Sequence, residues 1–422
     1  MLTQADNETL TRVEGDAPMG RMIRENYWIP FSRSVAIVAG AAPLAVRLLG
    51  HNYVAFRGTN NRVGFLDERC PHRGTSLLLA RNEGCKLRCI FHGWSFDTEG
   101  RVVDVPTQSV NAEKFAARVP VRHFPVVERG GLLWVWLGKA PAPALPKLPF
   151  LDLPDANVWT CRTICKSNWF QGVEGALDSA HINALHLSWV EKFEQHSGTH
   201  SDYAKNMTQT SSPKFDAKPT AYGLRAAAMR GLPGGESYLR ITEYFAPFQS
   251  LVAVLNCHDG IYFAAVPMDD VSHMLFMVEY SPRHAVFEPT GGIAGEPGND
   301  CDNFANINGT RENRWTQDRK AMDAGHFSGF TRNAIMEDVV VQLSMGPIAD
   351  RTKEFLSSTD MVIVRARKLA IEAATAFASG KLPPGSALSG EVTIPTPVNT
   401  VLPADTQWEP HADRSIAAEA SA

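Results

Sequence analysis

From Trp28 to about Leu137 apolar and polar residues alternate in short runs separated by turn-forming residues. "VRLLG", "YVAFRG" and "VGFLDE" read as strands, and "WSFDTEGRVVDV" reads as a hairpin with DTEG at its turn. The Pro/Ala-rich run "KAPAPALPKLPF" (139–150) cannot enter a sheet or a helix and predicts a domain boundary. The period becomes helical from Asn168 to His186. Between Ser237 and Arg283 four strand-length runs follow, "YLRITEYF", "SLVAVLN", "IYFAAVPM" and "HMLFMVEYS". "EPTGGIAGEPGND" (288–300) has no period and predicts a long loop, whereas 310–380 returns to helix and stops at Gly380. Prolines at 383, 384, 395, 397, 403 and 410 predict an extended tail. The expectation is an α+β chain: an N-terminal helical segment (1–26), an all-β domain (27–145), a second domain with an antiparallel sheet flanked by helices (146–380), and a tail (381–422).

Bulk properties narrow the classes of function. The 422 residues suffice for two ordinary domains. A net charge of −4 without a basic cluster argues against nucleic acid. The start, MLTQADNETL, lacks the basic and apolar segments of an export signal. No run approaches the ~20 apolar residues of a membrane span. Seven cysteines, odd in number and irregularly spaced, fit thiols or metal ligands in a reducing cytoplasm better than a disulfide framework.

Chemistry enters with "CPHRG" (70–74) and "CIFHGW" (89–94). Each loop offers one thiolate and one imidazole, so Cys70, His72, Cys89 and His92 can close a four-ligand site. Buried free cysteines beside surface histidines would explain any one of these residues, but not all four in mirrored order. Zinc sites usually group Cys with Cys and His with His. A Rieske 2Fe-2S centre has two Cys on one iron and two His on the other, which two mixed loops supply directly.

A second constellation lies in "NWFQGVEGALDSAHINALHLSW". On an unbroken helix Glu174, Asp178 and His181 share a stripe, while His186 lies about 140° further round. Both histidines reach one metal only if the helix bends, widens or ends between them. A solvated polar face would read similarly, but the neighbouring residues are apolar and the upstream Cys/His pair tips the balance toward metal. Two histidines and a carboxylate on one face of an iron leave positions open, as in non-haem Fe(II) oxygenases.

On these motifs the chain resembles the Rieske non-haem iron aromatic-ring-hydroxylating oxygenases. The second cysteine per loop found in respiratory Rieske proteins is absent, and Cys85 is read as structural. "PMGRMIRENYWIPF", "VEGALDSAH", "WTQDRKAMDAGHFSGF" and "SMGPIADRTKEFLSSTD" are similar to the α subunit of the phthalate dioxygenase-like group. The resemblance implies a Rieske domain followed by a helix-grip-like catalytic domain. It makes His181 and His186 ligands of Fe(II), and makes Asp178 the carboxylate that bridges to a cluster histidine of a neighbouring subunit. The third ligand is placed in "RNAIMEDVVVQLSMGP" at Asp338, in preference to Glu337. Gly175 stands where many members carry Asn.

The resemblance further implies an aromatic carboxylate and O2 as substrates, and electrons from a separate NAD(P)H-dependent reductase carrying flavin and 2Fe-2S. It also implies a homo-oligomer, a trimer or hexamer. Strand alternation puts Arg240 on a mixed polar and aromatic face, a candidate carboxylate anchor, and Ser179 is a second candidate. A solvent-facing surface is an equal reading for Arg240 and the preferred one for Arg225 and Arg230. An O-demethylase of methoxybenzoates, a zinc-stabilised binding protein and a pure electron carrier are the alternatives.

Overall fold

The computed structural model describes residues 1–196, 205–207, 212–253, 260–286, 300–305, 307 and 309–412. The loop expected over 288–300 lies outside these residues, Asp300 apart. The N-terminal half is built from three small antiparallel sheets. β1 (Trp28–Arg33), β10 (Leu132–Trp136) and β9 (Val126–Arg129) form one, and β2 (Leu44–Leu48), β3 (His51–Arg57) and β4 (Val63–Asp67) form the second. The third joins β5 (Arg81–Glu83), β6 (Lys86–Arg88), β7 (Ser95–Asp97) and β8 (Val102–Asp104), with the expected DTEG turn (97–100) linking β7 to β8 and Gly100 at φ 73°.

The second half is one antiparallel sheet. Its strands are β11 (Val158–Cys165), β12 (Lys214–Thr220), β13 (Gly223–Gly231), β14 (Ser237–Phe245), β15 (Gln249–Ala253), β16 (Gly260–Pro267) and β17 (His273–Tyr280). They run in the order β11-β17-β16-β15-β14-β13-β12. Helices Trp169–Leu177 and Ala334–Ser344 pack together beside it, and Met361–Ala378 covers β12 and β13.

The two halves share one core, in which Trp134 of β10 and Phe150 of the linker both meet Tyr262 of β16. The β2–β3 turn, with Leu49 and Gly50 at φ 51° and 80°, donates to the carbonyls of Pro267 and Met268 at 3.1 and 2.8 Å. Arg47 pairs with Asp269 at 2.8 Å beside it. The N-terminal helices Gln4–Thr11 and Pro18–Asn26 pack on Met361–Ala378, far away in sequence.

Two elements differ from the sequence pattern. The C-terminal segment is more than an extended tail: Asn399–Leu402 forms β18, antiparallel to Ser237–Arg240 of β14. Prolines 395, 397 and 403 flank this strand without entering it, so no ladder hydrogen bond is lost. Val398, Leu402 and Trp408 bury the outer face of β13 and β14 at Ala227, Leu239 and Ile241.

The helix expected to run from Asn168 to His186 ends at Leu177. Asn168 caps its start, and its side chain also donates to the carbonyls of Thr11 and Asp270. A Cβ at Gly172 would lie 2.7 Å from His273 Nε2 and 2.8 Å from the Ala265 methyl, so this helix sits directly on β16 and β17. Glu174 therefore does not share a stripe with the histidines. It takes Arg351 bidentately at 2.8 and 2.8 Å and Arg367 at 2.7 Å.

Burial raises the Glu174 pKa, but the two guanidinium groups outweigh it and hold the carboxyl below its ordinary value. The stability this contributes is present above the ordinary carboxyl range and is lost as pH falls through the depressed one. Glu174→Gln leaves the fully buried Arg351 without its counter-charge. A loss of about 3–5 kcal/mol is expected, read as a lower midpoint in chemical denaturation near neutral pH and a smaller difference in acid.

Candidate metal centres and substrate cavity

The two Cys/His loops are built alike. Cys70 follows β4 and Cys89 follows β6. In each loop the glycine N–H returns to the cysteine carbonyl, Gly74 to Cys70 and Gly93 to Cys89, both at 2.9 Å. Gly74 and Gly93 have φ of 74° and 76°, a conformation that a side chain disfavours. Both cysteines are buried, whereas both histidines reach the surface.

The imidazoles of His72 and His92 meet edge to face at 4.5 Å, and His72 stacks on Trp94, also at 4.5 Å and 3° from parallel. Burial pushes the Cys70 thiol up to about 11, with backbone N–H groups of His72 and Arg73 opposing it and the nearby Cys89 adding to it. Paired buried thiols of this kind favour a cation that neutralises both. His92 Nδ1 is buried without a hydrogen-bond partner, a nitrogen placed to ligate. The residues thus fit a Rieske cluster. Cys85 sits exposed in the β5–β6 turn, 3.7 Å from the Thr59 hydroxyl.

The second centre forms where the helix stops. Asp178 caps helix Trp169–Leu177 and accepts from the Ala180 N–H at 2.7 Å. His181 opens a short 3-10 turn, and His186 immediately precedes helix Leu187–His196. This break resolves the 140° mismatch of an unbroken helix. His181 Nε2 and His186 Nε2 lie 3.1 Å apart, and Asp338 Oδ1 is 3.4 and 3.2 Å from them. Three donors at right angles, each about 2.1 Å from one ion, are spaced by roughly 3 Å. The geometry therefore fits a single metal with three protein ligands on one face.

Among the described residues His181, His186 and Asp338 are the group of three whose donor atoms lie within 4.8 Å of one another. The four Cys/His side chains do not close in this way around one ion, which argues against mononuclear zinc there.

Each histidine has a carboxylate behind it. Asp178 Oδ2 lies 3.5 Å from His181 Nδ1, and Glu337 Oε2 lies 2.6 Å from His186 Nδ1. The other Glu337 oxygen accepts from the Ser328 hydroxyl. Adjacent residues on helix Ala334–Ser344 thus divide the work, Asp338 facing both Nε2 atoms and Glu337 standing behind one ring. Sequence reading weighed Glu337 as a ligand; the structure turns it to the far nitrogen instead.

Burial alone would lower the His186 pKa, but Asp338 and Glu337 outweigh it and push it up to about 10. Such an excess of carboxylate is what a divalent cation neutralises. Burial would raise the Asp178 and Asp338 pKa values, but the adjacent imidazoles hold both below the ordinary range.

A cavity opens beside these donors, lined by apolar Ile182, Val252, Ile261, Phe263 and Leu275 together with Arg240 and Gln342. Arg240 is buried and lies at this cavity rather than in solvent. Its Nη1 donates to the Ser179 hydroxyl at 3.1 Å and its Nε to the Ala253 carbonyl at 3.0 Å. The β13–β14 register opposes Ala228 to Arg240, which makes Arg230 a diagonal neighbour on the same face. Arg230, completely buried, donates to the Ser179 carbonyl at 2.6 Å and to its hydroxyl at 3.3 Å. The preferred solvent reading of Arg230 is thereby corrected; Arg225 pairs with Glu243 at 2.6 Å. Strand alternation alone does not reveal that β14 is covered on both faces.

A β-domain with paired Cys/His loops, joined to an antiparallel sheet that carries a two-His, one-carboxylate site, defines a two-centre oxygenase subunit. The comparisons agree. Residues 27–125 match the family model of the Rieske [2Fe-2S] domain, and residues 135–421 match the "LigXa C-terminal domain like" model. The chain is 35% identical to the 3-chlorobenzoate-3,4-dioxygenase oxygenase subunit of Comamonas testosteroni, over 97% of both chains. It is 33% identical to the phthalate 4,5-dioxygenase oxygenase subunit of Pseudomonas putida, over 99% of this chain and 96% of that one. In fold it is similar to the terminal oxygenase of carbazole 1,9a-dioxygenase from Novosphingobium sp. KA1, with a TM-score of 0.56 at 18% identity, covering 87% of this chain and 98% of that one.

The chain belongs to the Rieske non-haem iron oxygenases, as an oxygenase subunit of the aromatic-ring-hydroxylating type, with a [2Fe-2S] cluster and a non-haem Fe(II) as cofactors. That membership sets aside the zinc-protein and pure-carrier readings. No described helix is long and apolar enough to cross a membrane.

Proposed function

We propose that this chain is the terminal oxygenase for a benzoate- or phthalate-like aromatic carboxylate, with Cys70, His72, Cys89 and His92 holding the cluster and His181, His186 and Asp338 holding the iron. The observation that carries the substrate class is the placement of Arg240, held by the Ser179 hydroxyl at 3.1 Å, in the same cavity as the three iron-site donors. When bound, the cluster supplies electrons and the iron activates O2 beside the ring. Arg240 anchors the carboxylate through its guanidinium, in a setting dry enough for a charge-assisted hydrogen bond to matter. Ser179 does not itself line the cavity; its hydroxyl accepts from both Arg230 and Arg240 and so positions the anchoring guanidinium. The apolar lining holds the ring and keeps water away from the donors.

Asp178 orients His181 on one side. Its side chain is 31% exposed, leaving a flank open to an imidazole of a neighbouring subunit's cluster, as a trimer or stacked hexamer would place it. Electrons come from an NAD(P)H-dependent reductase carrying flavin and 2Fe-2S, in the cytoplasm. The related 3-chlorobenzoate and phthalate enzymes support the substrate class, and the oxygenase–ferredoxin complex of carbazole 1,9a-dioxygenase supports a separate electron donor.

Oxygen consumption with a matching reductase, over a panel of benzoates and phthalates with products identified, tests the reading. Arg240→Ala is expected to raise KM for the best substrate about 10-fold or more while the cluster absorbance is kept. An unchanged KM would remove Arg240 as the anchor. Glu337→Gln is expected to weaken iron retention about 10–100-fold, measured by competition with a chelator; wild-type retention would show that the contact with His186 does not support the site.

A further inference from the structure

Helix Ala334–Ser344 carries a second polar side chain to the cavity that the reading above does not use. Gln342 lies one turn beyond Asp338, so the two share a helix face. It is 4% exposed and lines the same cavity as the iron-site donors and Arg240. Its backbone carbonyl accepts from Gln171 at 2.8 Å, but its side-chain oxygen is buried with no hydrogen-bond partner.

Residue 175, on the facing helix, has no side chain to crowd it. A Cβ at Gly175 would lie 3.0 Å from Gln342 Nε2, so the carboxamide would have to give by a few tenths of an ångström. Gly175 and Gln342 therefore form a pair: the glycine on one helix admits the carboxamide of the other over the cavity wall. A buried amide oxygen without a donor is costly, and here the group able to supply the donor is a ligand in the cavity.

We propose that Gln342 is a specificity-determining residue that hydrogen-bonds a donor substituent, such as a hydroxyl, on the ring of the bound aromatic carboxylate. This rests on the carboxylate reading of the site. With the carboxylate at Arg240 and the substituent at Gln342, the ring is fixed at two points beside Asp338. An unsubstituted, chloro or methoxy ring offers no donor and leaves the amide oxygen unsatisfied.

The test is equilibrium binding to the oxidised holoenzyme, with benzoate, hydroxybenzoates and their chloro and methoxy counterparts as ligands. The wild type is expected to bind one hydroxybenzoate isomer roughly 3–10-fold tighter than benzoate. Gln342→Leu, which keeps the volume, is expected to erase that preference, so that the hydroxybenzoate and benzoate bind it equally. Gly175→Ala, which crowds the carboxamide, is expected to weaken it. No hydroxyl preference in the wild type, or the same preference in Gln342→Leu, overturns the proposal. If Arg240→Ala binds every ligand as the wild type does, the carboxylate reading fails instead, a result distinct from failure of the Gln342 assignment alone.

Discussion

Asp338→Ala is expected to yield a folded, red-brown oxygenase that makes no product. The cluster residues lie in the separate sheets β2–β4 and β5–β8, with their own core of Val54, Phe56, Leu66 and Phe96. The helix that carries Asp338 packs in a different core, with Ile335, Val339 and Val340, so visible absorbance should match the wild type. At the second centre the substitution removes the oxygen that closes the triangle with His181 and His186 at 3.4 and 3.2 Å.

Two imidazoles remain, and a site with two protein ligands holds a ferrous ion far more weakly than one with three. The loss should exceed the ~10–100-fold typical of residues that merely orient a ligand, and turnover should fall with it. His186→Ala should behave alike. Product formation at a wild-type rate from either variant would move the reaction elsewhere.

Asp178→Asn separates transfer of electrons from possession of metals. The substitution is isosteric and keeps an oxygen to accept from the Ala180 N–H, so the turn between the helices should persist. It removes the negative charge that stands behind His181 and would face an imidazole from the neighbouring subunit. Both metals should therefore be retained, with iron and sulfide unchanged. In a single-turnover experiment, with the cluster pre-reduced and O2 added with substrate, cluster reoxidation should slow on the order of 10–100-fold, the range for groups that orient a metal ligand. Reoxidation at the wild-type rate would show that Asp178 only caps its helix.

How much of this was visible in the chain depends on the range of the interactions involved. The cluster loops were legible because each is local: cysteine, histidine and a glycine at positive φ within five residues define the loop without outside help. Strands β14 to β17 of the second half were legible for the same reason, whereas β11, β12 and β13 were not read as strands. The break at Leu177 was not legible, because the apolar positions Ala176, Leu177, Ala180, Ile182, Ala184 and Leu185 continue across it. The Asp178 side chain ends the helix by taking the Ala180 N–H, a competition that periodicity does not register.

Glu337 and Asp338 were indistinguishable by composition. Only the rotation of helix Ala334–Ser344, capped by Asn333, decides which carboxylate meets Nε2 and which meets Nδ1. Arg230 looked solvent-facing, and for Arg240 a solvent-facing and a pocket-lining position were equal readings, because an alternating strand implies a wet side. The side chains of Val398, Leu402 and Trp408 cover one face of β14 from about 160 residues away, and the cavity occupies the other. Gln342 had no local signal at all, since its significance lies in the missing side chain of Gly175 on another helix.

The central claim is that a second metal sits on His181, His186 and Asp338, apart from the cluster. Iron and acid-labile sulfide, measured per chain in wild-type and Asp338→Ala protein after the same reconstitution and desalting, test it most directly. One iron beyond those of the [2Fe-2S] cluster in the wild type, absent from Asp338→Ala at unchanged sulfide, is the predicted result. Equal iron in the two proteins would contradict it.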